Sequence, residues 1–195
     1  MTLRYLSFLF VILASVSKLP AAPAIVVSVP DQKLALIDNG TSIAQFPIST
    51  SKFGLGDSPG SYATPLGLLE IAAKIGANAP LGAVFKQRKM TGEILMPNVK
   101  GRDPIVTRIL WLRGLEKRNL KAFARNIYIH GTPVERLIGR PASYGCIRMR
   151  SRDVAALFDS ISVGTRIAVL NQHLRDAIAH AATDFHAGTF GFASN

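Results

Sequence analysis

Short apolar runs that alternate with polar residues, and are separated by turn-forming residues, constrain the fold of this chain most strongly. In the run that follows the N-terminal segment, Ile25, Val27 and Val29 are apolar, and a period of two is typical of β-strands. Asn39-Gly40 lies between the next two runs and strongly predicts a hairpin turn, because both residues tolerate positive φ. We therefore expect a β-meander in this part of the chain.

The remaining runs predict a mainly β fold with one or two helices packed on it. Apolar Val154, Leu157, Phe158 and Ile161 recur with helical spacing, which predicts an amphipathic helix over residues 152–161. Similar spacing predicts a terminal helix over 171–183, followed by a mobile tail. The other expectations are a loop at 49–61, strands at 68–72, 105–112, 126–129 and 165–170, short strands with long loops at 74–104, and a short helix or polar loop at 115–125.

The first 24 residues have the pattern of a secretory signal. Arg4 precedes an almost wholly apolar run at 5–16, and Ala22-Pro23-Ala24 fits a small-residue cleavage site, with cleavage after Ser17 as a second option. A retained membrane anchor is the alternative, although the run is shorter than the roughly 20 residues that a spanning helix needs. We expect the segment 1–24 to direct export across the cytoplasmic membrane.

The strong positive charge of this chain restricts the kinds of partner that we expect it to bind. Lys and Arg number 23 against 12 Asp and Glu, which gives a formal net charge of +11. A basic exported protein is attracted to polyanions, such as wall polymers and anionic lipid head groups. Nucleic-acid binding is not expected, since the basic residues are spread out without interleaved aromatic residues or a known module. No metal site is expected, because three or four ligands at workable spacing are missing, and we expect no cofactor.

Cys146 is the only cysteine of the chain, so it cannot form an internal disulfide. A thiol with an ordinary pKa of about 8.5 is mostly protonated at neutral pH, and a nearby imidazole can generate the nucleophilic thiolate. His130 lies sixteen positions upstream, and Gly145 permits a tight turn before the cysteine. The spacing alone does not show that the two side chains meet. A lone cysteine is often a small buried hydrophobic residue, and a lone histidine is often only hydrogen-bonded.

The two short motifs that contain this pair decide the interpretation. His-Gly-Thr stands at 130–132, and the pattern S-x-G-C-I-R-M follows at 143–149. Together they resemble the L,D-transpeptidase catalytic domain (YkuD-type) family. Two upstream segments, Thr64-Pro65-Leu66-Gly67 and Ser49-Thr50-Ser51, resemble that family in the same order. The resemblance extends over roughly residues 24–170.

The resemblance implies a β-sandwich or barrel-like catalytic fold over 25–170, with residues 171–195 as an extra C-terminal helix and mobile tail. Enzymes of this family cleave a peptidoglycan stem peptide after the diamino acid at position three and release D-alanine. Cys146 would be the nucleophile that carries the acyl group as a thioester, and His130 would be its acid/base. The acyl group would then pass to an amine on a neighbouring stem, giving a 3→3 cross-link, or to another acceptor.

Supporting roles around this pair are also implied by the resemblance. The Gly131 carbonyl would orient the imidazole, and the backbone N–H groups of Cys146 and Gly145, or of Tyr144, would form the oxyanion hole. Two further residues would position the loop and the substrate, Ser143 and Arg148. The family often has histidine where this chain has Tyr144, and we expect the tyrosine to border the acyl pocket without taking part in proton transfer.

The implied partners are peptidoglycan stem peptides, a wall-anchored protein as a further acyl acceptor, and carbapenem-type inhibitors that mimic the acyl donor. The implied site of action is the periplasm or the cell wall. An L,D-carboxypeptidase would use the same acylation with water as the acceptor, and the sequence does not separate the two activities. A non-catalytic wall-binding module is the alternative from another class, and it would have no use for Cys146.

Overall fold

The computed structural model describes residues 24–186 and, for residues 182–186, the backbone alone. The predicted signal segment, apart from Ala24, lies outside the described residues, as does the predicted tail beyond residue 186. The described chain forms one ten-stranded sheet with two α-helices and a short 3₁₀ helix at Glu135–Leu137. The strands are β1 Ala24–Ser28, β2 Lys33–Asp38, β3 Thr41–Pro47, β4 Gly67–Ile75, β5 Ala83–Lys86, β6 Lys89–Ile94, β7 Ile105–Gly114, β8 Tyr128–Gly131, β9 Ile147–Met149 and β10 Arg166–Leu170; the α-helices are α1 Ser151–Ser160 and α2 Leu174–His186.

The predicted meander is confirmed. Strands β1, β2 and β3 pair antiparallel, and Asn39 and Gly40 form the β2–β3 turn with φ values of 46° and 76°. Positive φ at both central positions is the geometry of the tight hairpin turn that Asn-Gly favours. The last strand, β10, then inserts parallel to β1 and antiparallel to β4. Residues from both ends of the described chain therefore meet at the centre of the sheet.

Strand β1 is buried on both faces, which explains why it is apolar at nearly every position. Ile25 and Val27 belong to the main hydrophobic core, whereas Val26 points to the opposite face and packs with Leu174 and Ala177 of helix α2. The C-terminal helix is thus part of the folded unit, because it covers the outer face of the meander. It begins at Leu174 and ends at His186, a few residues later at each end than the sequence predicts.

Strand β7 connects the meander side of the sheet to the strands that carry His130 and Cys146. One edge of β7 pairs with β4 and then with β5, and the other edge pairs with β8. The pairing with β8 shifts between Val106 and Ile109, and Thr107 in this bulge has a φ of 71°. A bulge bends its strand and re-aims the following side chains, and this one lies where β7 meets the strand of His130.

Helix α1 confirms the predicted amphipathic helix, and it packs its apolar face onto β7 and β8. The segment 115–125, for which the sequence left a helix or a loop open, forms successive turns. The three-residue strand β9, directly after the cysteine, is an addition that the sequence did not predict. The mainly β fold with one or two short helices and an extra C-terminal helix is confirmed. Within residues 24–186, no helix has the length and apolarity to cross a membrane.

Candidate active site

Two parallel strands bring Cys146 and His130 together. Strand β9 pairs with β8 so that Arg148 lies opposite His130, and this register places Cys146, one residue before β9, beside Tyr128. Side chains alternate along a strand, so Tyr128 and His130 share one face of β8. Cys146 packs against Tyr128 in a small apolar cluster on that face. The thiol therefore lies next to the strand of His130, two positions along from the imidazole.

The thiol occupies a defined position between two backbone groups. The Tyr128 N–H donates to Cys146 Sγ at 3.4 Å, and Sγ lies 3.5 Å from the Asn126 carbonyl oxygen, to which the S–H donates. Burial raises the pKa of Cys146 to about 11, against the opposing effects of the Tyr128 N–H and the charges of Arg148 and Arg125. In the resting site the proton is therefore on sulfur, and thiolate formation requires a base.

The imidazole of His130 is buried and held in one orientation. Its Nδ1 lies 2.8 Å from the Gly131 carbonyl oxygen. Because a carbonyl only accepts hydrogen bonds, this contact assigns the proton to Nδ1 and leaves Nε2 as a proton acceptor. The pKa of His130 is lowered to about 4, mainly by burial and also by the charge of Arg148. The imidazole is thus neutral at physiological pH and has a free lone pair.

The cysteine loop, residues 143–146, is held in place by the two upstream segments that resemble the family, 49–51 and 64–67. The Ser143 N–H donates to the Thr50 carbonyl at 2.9 Å, and Thr64 Oγ1 donates to the Gly145 carbonyl at 3.0 Å. The Ser51 N–H donates in turn to Thr64 Oγ1 at 3.0 Å. Both segments therefore hold the cysteine loop through hydrogen bonds, although they lie about 80 to 90 residues upstream of it in the sequence.

The Ser143 side chain forms two hydrogen bonds within the cysteine loop. Its hydroxyl donates to the Cys146 carbonyl at 2.6 Å and accepts the Gly145 N–H at 3.2 Å. Gly145 has a φ of +115°, which favours glycine, and a Cβ there would lie only 3.3 Å from the Ala63 carbonyl oxygen. The backbone N–H groups of Tyr144 and Cys146 have no acceptor among the described residues. These two groups, rather than the Gly145 N–H, are available to bind an oxyanion.

Arg148 is engaged within the protein. Its guanidinium lies 2.7 Å from the Asp103 carboxylate and donates to the Ala142 carbonyl at 3.3 Å. Asp103 also accepts the Thr132 hydroxyl at 2.6 Å. The three side chains connect β8, β9 and the loop before the cysteine, so Arg148 fixes the framework of the site. No local pattern distinguishes Asp103, because its partners are distant in the chain.

A second ion pair, with both side chains largely buried, supports the other side of the thiol. Arg125 lies 2.7 Å from Asp57, donates to the Gly56 carbonyl at 3.1 Å and donates to the Ala63 carbonyl at 2.7 Å. The next residue, Asn126, provides the carbonyl that accepts from Cys146, in a left-handed conformation with a φ of 57°. The ion pair thus locks the backbone against which the thiol rests.

Tyr144 is exposed and belongs to an aromatic surface beside the cysteine loop. Its ring centroid lies 5.4 Å from that of Phe53 and 5.9 Å from that of Tyr62. The Lys52 ammonium lies 4.4 Å from the Tyr144 ring centroid and donates to the Tyr144 hydroxyl at 3.1 Å. The tyrosine therefore faces solvent at the rim of the site.

Sequence reasoning missed several residues that surround the thiol. Tyr128 could have been placed in the site from the sequence, since it lies two positions before His130 and strand alternation puts both side chains on the same face. Asn126 could not have been placed there, because it contributes a backbone carbonyl in an unusual conformation. Within residues 24–186, no three His, Cys, Asp or Glu side chains cluster in a way that would hold a metal ion.

Comparisons with known proteins identify the family of this chain. The model of the L,D-transpeptidase catalytic domain, YkuD, matches residues 22–169. The chain therefore belongs to the L,D-transpeptidase catalytic domain family.

Individual relatives agree with this assignment. The probable L,D-transpeptidase YcfS of Escherichia coli (strain K12) is 28% identical over 165 residues, which cover 80% of this chain and 47% of that protein. The probable L,D-transpeptidase ErfK/SrfK of the same strain is 45% identical over 47 residues, 24% of this chain and 15% of that protein. The chain thus spans less than half the length of either relative. The solved structure of Bdellovibrio bacteriovorus Bd1075 aligns with a TM-score of 0.51 and 14% identity over 87% of this chain and 56% of that one, a likeness of fold.

Proposed function

We propose that this chain is a peptidoglycan L,D-transpeptidase in which Cys146 is the nucleophile and His130 the general acid and base. One observation carries the proposal: a protonated thiol and a neutral imidazole with a free Nε2 lie on neighbouring strands, beside two unoccupied backbone N–H groups. Membership of the L,D-transpeptidase catalytic domain family supports the substrate class that we propose, a stem peptide cleaved after the diamino acid at position three.

In the acylation step, the S–H proton of Cys146 passes to Nε2 of His130 as sulfur attacks the carbonyl carbon of the diamino acid. The resting pKa values favour the neutral pair, so sulfur gains full nucleophilicity only as the proton moves. The imidazolium that forms is stabilised by the Gly131 carbonyl, which accepts from Nδ1. This partner plays the orienting role that a third group plays for other nucleophile–base pairs.

The tetrahedral intermediate places a negative charge on the former carbonyl oxygen. The N–H groups of Tyr144 and Cys146 are the donors that the loop leaves unused, and preorganised donors of this kind stabilise an oxyanion without reorganisation. Ser143 holds the loop in the required shape through its contacts with Gly145 and Cys146. The intermediate then collapses to a thioester, and imidazolium Nε2–H protonates the amine of the departing D-alanine.

Transfer reverses these proton movements. The acceptor amine gives a proton to His130 Nε2 as its nitrogen attacks the thioester carbonyl, and the released sulfur takes that proton back. An amine on a neighbouring stem yields a 3→3 cross-link, an amine on a wall-anchored protein yields an attached protein, and water yields L,D-carboxypeptidase activity. Acylation is identical in all three cases.

The proposed site of action is outside the cytoplasmic membrane, in the periplasm or the cell wall, where stem peptides are found. The net charge of +11 suits an anionic wall, and residues 1–24 have the composition of an export signal. Carbapenems, as mimics of the acyl donor, are the proposed inhibitors, with Cys146 as the acylated residue.

Replacing the base tests the proposal. His130→Ala and His130→Gln should each slow acylation by a donor tetrapeptide roughly a hundredfold, the usual contribution of a general acid–base group. Stopped-flow release of D-alanine measures this rate, and circular dichroism reports the fold. His173→Ala is the matched control, because His173 is an exposed histidine paired with Asp31 at the start of α2, and its acylation rate should equal that of wild type. Wild-type acylation by both folded His130 variants would contradict the assigned role.

A further inference from the structure

The turn between β5 and β6 carries an arginine that reaches the wall of the active site. Arg88 Nη1 donates to the Asn126 side-chain oxygen and to the Tyr128 hydroxyl, both at 3.2 Å. Its guanidinium carbon lies 4.5 Å from the ring centroid of Trp111, within the range of a cation–π contact. Neutral partners therefore fix the guanidinium on three sides.

The residues that hold Arg88 also hold the nucleophile. The Asn126 carbonyl accepts from Cys146 Sγ, and the Tyr128 N–H donates to it. The guanidinium is consequently separated from the thiol by the side chains of the two residues that position the thiol. Arg88 and Cys146 therefore contact the same two residues, Asn126 and Tyr128.

The guanidinium has unused donors and no anion to neutralise it. Nε and Nη2 of Arg88 donate to no group among the described residues, and Arg88 forms no ion pair with a described carboxylate. Five other arginines do have such partners, namely Arg102 with Glu93, Arg113 with Glu70, Arg118 with Glu116, Arg125 with Asp57, and Arg148 with Asp103. The free Nε–Nη2 edge is the geometry that binds a carboxylate through two parallel hydrogen bonds.

The backbone at Arg88 is unfavourable for residues other than glycine and asparagine. Gln87 and Arg88 have φ values of 50° and 66°, and they connect the paired residues Lys86 and Lys89 in a two-residue hairpin turn. Asn-Gly is the sequence that such a turn prefers. Strain of this kind points towards a function of the side chain that the turn presents.

We propose that Arg88 binds a free carboxylate of the acyl donor and so selects stem peptides that carry one near the scissile bond. The inference rests on the proposed transpeptidase function and specifies the recognition of its substrate. Two carboxylates satisfy the chemistry, the one on the side chain of the diamino acid and the terminal one of the departing residue.

Three synthetic donor tetrapeptides distinguish these two sources: one with both carboxylates free, one with the diamino acid side chain amidated, and one with a C-terminal amide. Wild-type kcat/KM should fall roughly ten- to a hundredfold for only one of the two amides, as expected when a charge-assisted bidentate pair is lost. Arg88→Gln should show the same loss with the free peptide, mainly through KM, and should no longer discriminate against that amide.

Two further variants separate recognition from folding. Arg88→Gly should lose the same discrimination with an equal or higher thermal midpoint, because glycine suits the positive φ. Arg113→Gln is the matched control, since Arg113 lies 6.0 Å from the Phe123 ring that stacks on Trp111 but already pairs with Glu70. It should retain wild-type discrimination.

The outcomes are separable. Equal losses by Arg88→Gln on all three peptides would overturn the carboxylate assignment, as would wild-type enzyme that treats the three peptides alike. Wild-type enzyme that acylates with none of the three would instead overturn the proposed function, together with the inference that depends on it.

Discussion

Ser143 offers a sharp test of how the cysteine loop is built. Ser143→Ala removes a hydroxyl that donates to the Cys146 carbonyl at 2.6 Å and accepts the Gly145 N–H at 3.2 Å. The side chain is fully buried, so water does not replace either bond. Two buried hydrogen bonds at about 1 kcal/mol each give a loss of about 2 kcal/mol in the free energy of unfolding. For a domain of this size, that lowers the thermal midpoint by roughly 4–8 °C.

The loss of activity should exceed what this destabilisation explains. Without the hydroxyl, the loop no longer holds the N–H groups of Tyr144 and Cys146 in position, and a small misplacement at a reacting centre costs on the order of tenfold to a hundredfold in rate. We therefore expect acylation at 25 °C, measured by D-alanine release from folded protein, to fall by about that factor.

Ser49→Ala is the matched control for this prediction. Ser49 is equally buried, and its hydroxyl makes the same two kinds of bond, donating to the Arg140 carbonyl at 2.7 Å and accepting the Ala142 N–H at 3.1 Å. Its partners are Arg140 and Ala142 rather than Gly145 and Cys146, so Ser49→Ala should lower the thermal midpoint similarly and slow acylation clearly less than Ser143→Ala does. Equal rate losses in the two variants, or none in Ser143→Ala, would refute the reasoning.

The remaining predictions concern protonation and the rim of the site. Because burial lowers the pKa of His130 to about 4, the base stays neutral, and the acylation rate should hold from pH 7 down to about pH 5 and fall only near pH 4; a midpoint near 6.5 would contradict the neutral buried imidazole. Because burial raises the pKa of Cys146 to about 11, alkylation by iodoacetamide should accelerate only above about pH 10, and a plateau at neutral pH would reveal a resting thiolate. Tyr144→Phe keeps the ring and removes only the hydroxyl that accepts from Lys52, so stability should change by less than about 0.5 kcal/mol and most activity should remain; a rate as low as that of a Cys146 variant would assign the hydroxyl a chemical role.

Local sequence patterns predicted the parts of the fold that depend on neighbouring residues. Asn39-Gly40 predicted the β2–β3 turn because its conformational preference is intrinsic, and the spacing of Val154, Leu157 and Phe158 predicted helix α1. Strand β9 escaped prediction because its three residues form a strand only through pairing with β8. The insertion of β10 between β1 and β4 is likewise a long-range pairing, which no local pattern encodes.

The same difference between local patterns and long-range contacts applies to the candidate site. The side chains with chemistry of their own, Cys146 and His130, were visible in the sequence because few residue types can act as nucleophile or base near neutral pH. Their supports were not, because Asp103 and Asn126 act through contacts with residues distant in the chain. The expected oxyanion donors included the Gly145 N–H, but the structure engages it with the Ser143 hydroxyl, a detail set by loop geometry.

The covalent intermediate tests the central claim most directly. Cys146 is the only cysteine of the chain, so a thioester has a single place to form. Wild-type protein mixed with a donor tetrapeptide, quenched in acid and measured by intact mass spectrometry, should gain the mass of one tripeptide acyl group, and peptide mapping should place it on the fragment that contains Cys146. Cys146→Ala should show neither the adduct nor release of D-alanine. Release of D-alanine by Cys146→Ala at the wild-type rate would contradict the cysteine mechanism.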